Sequence, residues 1–125
     1  MLASLIADEL VSFVALDVKA LPGAYDRVTR GSGVWDRVSR SIATVIASGI
    51  DHEFHTTCYP FAVRSDDLPE LASHLVGGRR YVLQQFRPRR TLDPAASTAL
   101  PFSAEELRRV ALRCTVHLPT VVRGV

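Results

Sequence analysis

Cysteine and lysine are both scarce in this sequence. Its 125 residues hold two cysteines, Cys58 and Cys114, far apart and outside any C-x-x-C pairing. The N-terminal MLASLIADEL has no basic leader and is interrupted by Asp8 and Glu9. The chain therefore reads as cytoplasmic, with both thiols reduced. The four histidines, His52, His55, His74 and His117, form no i, i+4 helical pair and no zinc spacing, which argues against a metal site built wholly by this chain. The formal net charge is only +2, giving no case for nucleic acid or an acidic membrane as partner. No apolar run approaches the roughly 20 residues that cross a bilayer. The hydrophobic fraction of 47% is that of one ordinary globular domain, residues 1–125. Of the fifteen basic residues fourteen are Arg, and Lys19 is the only Lys. It stands two residues from Asp17 at the end of an apolar run, a place suited to a compact ammonium.

Three stretches organise what is present. FVALDVKA (Phe13 to Ala20), HEFHTTCY (His52 to Tyr59) and RYVLQQFR (Arg80 to Arg87) are apolar runs with polar groups gathered at their ends. Each reads as a buried strand with its polar groups at the C-terminal end, where parallel α/β folds place their chemistry. The strands are expected from about Ser12 to Val18, Glu53 to Tyr59 and Tyr81 to Phe86, with a last one over Thr120 to Val122. Alternation puts Ala15, Asp17 and Lys19 on one face of the first strand and Val14, Leu16 and Val18 on the other. Glu53, His55 and Thr57 would point the same way as Asp17 and Lys19 in a barrel.

Between the strands, Val34 to Ser48 carries a stripe of Val34, Val38, Ile42, Val45 and Ile46 and predicts a helix, stopped by Gly49. Ser65 to Val76 predicts a second helix, with Asp66 and Asp67 at its positive end. Ser103 to Glu106 is a capping box opening a third, whose stripe is Leu107, Val110, Ala111 and Cys114. Leu21 to Gly33 reads as a loop. Phe86 to Pro94 reads as a basic loop, in which Arg87, beside the strand end, is the best placed of Arg87, Arg89 and Arg90 to grip a phosphate or carboxylate. Leu2 to Leu10 reads as the last turns of a helix that begins without a cap, as if cut into. The resulting order is α/β, with parallel βα repeats joined by right-handed crossovers, making about half of a barrel or a small open sheet. An uncovered edge on the first strand invites a partner or self-association.

With these residues in view, the chain resembles the radical S-adenosylmethionine (radical SAM) activating enzymes, in the branch that activates anaerobic ribonucleoside-triphosphate reductase. FVALDVKA is similar to the family's strand ending in D-I-K-A, and YDRVTRG (Tyr25 to Gly31) to its Y-x-x-V-T-G segment. HEFHTTCYP is similar to its E-F-R-T-T strand, and RYVLQQFRPRRTLDP to its Y-V-L-Q-Q-F-R-P…T-L-D-P segment. Together these segments cover almost the whole chain. The resemblance implies the C-terminal half of a partial TIM barrel. It also implies S-adenosylmethionine and a 4Fe-4S cluster as cofactors, the cluster being held by a CxxxCxxC loop after the family's first strand. In the family the reduced cluster generates a 5′-deoxyadenosyl radical, which takes hydrogen from a glycine of the partner enzyme. This sequence has no CxxxCxxC and no glycine-rich second-strand segment. The resemblance places Asp17 and Lys19 at positions facing the cofactor and the barrel interior. It places His55 where the family has Arg, which removes a permanent cation. Thr57, Gln84 and Gln85 match strand-end positions, and the pattern does not decide which glutamine faces inward.

Two functions of different class follow. One is a truncated or split radical SAM activating protein, inactive alone, whose partners are a cluster-bearing N-terminal half chain and a glycyl-radical enzyme. The other is a non-enzymatic docking module that binds either of those partners through the inherited half-barrel. An independent phosphate-binding enzyme using Arg87 and Lys19 has less support, because no glycine-rich phosphate loop opens a helix.

Overall fold

The computed structural model describes residues 12–88 and 100–125. Its elements are β1 (Phe13–Asp17), a 3-10 turn (Pro22–Ala24), α1 (Tyr25–Thr29), α2 (Val34–Ser48) and β2 (Asp51–Cys58). There follow α3 (Asp67–Ser73), β3 (Tyr81–Gln85), α4 (Ala104–Cys114) and β4 (Thr120–Arg123). The fold is α/β, and among the described residues four strands form one parallel sheet in the order β1-β2-β3-β4.

That order has a consequence for the layers. A right-handed crossover places its helix on a fixed side of the sheet for a given direction of travel. Four strands laid down in one direction therefore put their connecting helices on the same face. The burial pattern agrees. Val14, Val18, Phe54, Cys58, Tyr81 and Leu83, all of one strand parity, join the helices in a single core. The helices contribute Ile42 and Val45 from α2, Leu68 and Leu71 from α3, and Leu107 and Val110 from α4. Residues of the opposite parity face no described helix; we term that side the open face.

Local chemistry explains where the elements start and stop. The Asp26 carboxylate accepts from the backbone N–H groups of Gly33 (3.1 Å) and Val34 (3.0 Å), which caps α2 from the neighbouring α1. Gly49, at φ +71°, ends α2 in the left-handed conformation. The Ser103 hydroxyl accepts from Glu106 N at 3.0 Å, so the expected capping box opens α4. The Val34–Ser48 helix has the expected bounds.

Two expectations need correction. Leu21 to Gly33 is not an irregular loop: Pro22 sets the first turn of the 3-10 segment and α1 follows it. Tyr25 of α1 is buried there, with its hydroxyl accepting from Lys19 N at 3.1 Å. The Ser65–Val76 helix shrinks to Asp67–Ser73, and His74, Leu75 and Gly78 close as successive turns. The expected Leu2–Leu10 helix and the Arg89 and Arg90 part of the basic loop lie outside the described residues. Among the described residues no helix is long and apolar enough to cross a membrane.

Candidate functional site

The sheet pleat sorts the polar strand residues into two groups. On the helix-covered face every polar group is spent internally. Thr56 Oγ1 lies 2.6 Å from Val18 O and 2.6 Å from Tyr81 Oη. Its single proton goes to the Val18 carbonyl, so Tyr81 donates to Thr56. Both hydroxyls are buried, and burial pushes the Tyr81 phenol far above its ordinary value. Cys58 and Cys114 are buried free thiols, each pushed up to about 12 mainly by desolvation. Gln85 also belongs to this side: its amide nitrogen donates to Phe102 O at 2.6 Å and its oxygen accepts from Phe86 N at 2.9 Å.

The open face carries the other group. Parallel register sets Asp17 beside His55, His55 beside Val82, and Val82 beside Val121. The next row toward the strand ends is Thr57, Gln84 and Arg123. Lys19 extends the face at the end of β1, where a hydrogen bond from Val18 N to His55 O (2.7 Å) carries the ladder past the strand. Asp17, Lys19 and Thr57 are exposed, and Gln84 is half-buried. After β4 the chain turns at Gly124, whose φ of +83° is a left-handed conformation that favours glycine, and this brings its backbone close to the Gln84 side chain.

Below this row lies a charged network that the sequence reading did not single out. Glu53, buried in β2, accepts from Arg123 through both oxygens (3.0 Å each), from Arg80 at 2.9 Å, and pairs with His55 Nε2 at 2.8 Å. The Arg123 bridge, then His55 and Arg80, hold the Glu53 carboxyl down to about 2 from its ordinary 4.5. Glu53 and Arg123 reach toward each other across β3, and Val82, on that face between them, is fully buried. The available signal was a carboxylate inside an apolar strand, which needs a cation close by. His55 was legible as its neighbour on the same face, but its arginine partners could not be read because they lie 27 and 70 residues away, Arg80 just before β3 and Arg123 at the end of β4.

The structure thus brings Asp17, Lys19, His55, Thr57 and Gln84 onto one face. It places Gln85 on the other, with its amide already committed, so Gln84 is the glutamine that points to the open face. Arg87 is exposed just past β3 and donates to Gly124 O at 3.1 Å, which ties it to the end of β4 rather than to the face itself. No family model matches the chain, and no curated protein matches it.

The residues present can be weighed against the two cofactors that the resemblance implies. A 4Fe-4S cluster does not fit: the sequence holds two cysteines, and both thiols are buried on the helix side. Among the described residues no group of three or more His, Cys, Asp or Glu could hold a metal ion. The strand ends of the open face are different. A carboxylate, an ammonium, a hydroxyl and an amide stand there at neighbouring register positions of β1, β2 and β3, a donor set suited to a ligand bearing both charges and hydroxyl groups.

Proposed function

We propose that this chain supplies the later part of the cofactor-binding sheet of a radical SAM activating protein, of the kind that activates anaerobic ribonucleoside-triphosphate reductase. In this reading the sheet is part of a partial TIM barrel, and its open face is the barrel's inner wall. The observation that supports it is a parallel sheet whose helices, among the described residues, all pack on one face. Parallel sheets are ordinarily covered on both faces, and a face left without helices in a sequentially ordered sheet is the geometry of a barrel lumen. The polar residues stand at the C-terminal ends of the strands on that face, where barrel enzymes bind their substrates.

S-adenosylmethionine, when bound, brings an amino-acid zwitterion and ribose hydroxyls. Asp17 and Lys19 are the groups of opposite charge that would orient the zwitterion, and Thr57 and Gln84 would hydrogen-bond to hydroxyls. His55, fixed by Glu53, offers its ring where the family has a guanidinium. Residues 1–125 supply no cluster ligands, so in this reading the cluster is held by a cluster-bearing segment outside them, and no catalysis is expected from these residues by themselves.

Co-expression with a chain bearing CxxxCxxC, followed by an anaerobic assay for 5′-deoxyadenosine, tests the reading. Association with product formation is the expected result. No association and no product would overturn it. Recovery of a glycyl-radical enzyme by this chain without any iron–sulfur partner would favour the docking module instead.

A further inference from the structure

We infer that this chain, when alone, pairs with a second copy of itself by closing the two sheets into one eight-stranded parallel barrel. The inference uses only the sheet geometry and does not rest on the cofactor reading. Among the described residues β1 and β4 are the outer strands, each with one strand neighbour. Each carries a large apolar side chain on the open face: Phe13 is 47% exposed and Val121 39% exposed. Exposed apolar groups on strands at a sheet edge favour association through that edge.

Barrel geometry states which residues would meet. Eight strands close with a shear of about eight residues, so half a circuit shifts the register by about four. The right-handed twist tilts the strands so that a ladder row followed from β1 to β4 descends toward the strand starts. The row Asp17–His55–Val82–Val121 would then run into Phe13 of the second copy, four residues before Asp17. The two exposed apolar groups of the face come together twice, once at each new seam. The row above, Thr57–Gln84–Arg123, runs into Ala15 of the second copy, which sets Arg123 diagonally across from that copy's Asp17. The Arg123 side chain is 44% exposed, and Asp17 is exposed, so opposite charges meet across the seam. Two-fold symmetry makes both seams identical and leaves no outer strand.

Phe13 and Val121 of one copy lie three strand spacings and four residues apart, on the order of 20 Å. A disulfide needs Cα atoms within about 7 Å, so a bond between these two positions must join two copies. The experiment is mild oxidation of the F13C/V121C double variant, with sedimentation of the unmodified chain. We expect a sedimenting dimer and a covalent dimer that forms at least tenfold faster than with V116C, which is 79% exposed in the turn between α4 and β4 and reports random collision. The buried Cys58 and Cys114 contribute no background. A monomer at high micromolar concentration, or cross-linking no faster than V116C, would overturn the inference. D17R alters only an exposed side chain and should weaken dimerisation about tenfold with the far-UV spectrum unchanged. Dimerisation by D17R as tight as by the unaltered chain would also overturn it.

Discussion

The two faces of the sheet use the same residue types for opposite purposes. Thr56 and Thr57 are adjacent, as are Gln84 and Gln85, and the pleat sends one of each pair to either side. Thr56 and Gln85 are consumed in the core, bonded to Val18, Tyr81 and Phe102. Thr57 and Gln84 stand on the open face in one row. Burial accounts for the contrast: a polar group beneath helices, like buried Glu53 on the open face, must be satisfied within the protein, whereas the exposed strand ends of the open face leave donors and acceptors uncommitted.

That contrast breaks most visibly in the core. Phe54→Ala, at a fully buried position beneath the helices, should cost about 3–5 kcal/mol in urea unfolding. Thr56→Val should cost about 1–3 kcal/mol, since the Val18 carbonyl and the Tyr81 hydroxyl lose a buried partner together. On the open face the largest effect belongs to Glu53→Gln. Arg80 and Arg123 are half-exposed and can turn to water, so about 1–2 kcal/mol is expected.

The same carboxylate sets an acid limb. Its value is depressed from 4.5 to about 2, so its contribution to stability is full above 4.5 and is lost as pH falls toward 2. Acid titration by circular dichroism should show a shallower loss over that window in Glu53→Gln than in the unaltered chain. The smallest stability effects are expected at the strand ends. Asp17→Asn and Thr57→Ala should change unfolding by no more than about 0.5 kcal/mol. Both should nevertheless weaken S-adenosylmethionine binding by the assembled pair. Gln85→Ala should do the reverse, costing about 1 kcal/mol while leaving binding unchanged.

The strands and helices were largely legible because apolar period and punctuation agreed at each. Val34–Ser48 had both a stripe and a glycine stop, and Ser103 had its capping partner at Glu106. The parity of Asp17, His55 and Thr57 was legible for the same reason, since alternation along one strand needs no tertiary knowledge. Which glutamine faced the open side was not legible, because it depends on how β3 registers against β2. The Glu53 network was hidden for a related cause. Its cations, Arg80 and Arg123, flank or end other strands, and only the assembled sheet brings them over β2. Within Leu21–Gly33 the density of glycine and polar residues masked α1, which is held by Tyr25 reaching into the core.

Hydrogen–deuterium exchange on the co-expressed pair, with and without S-adenosylmethionine, tests the central claim most directly. The account predicts slowed exchange at the strand ends, residues 17–20 and 57–60, and none over α2 on the far side of the sheet. Unchanged exchange at those strand ends, or protection confined to the helices, would contradict it.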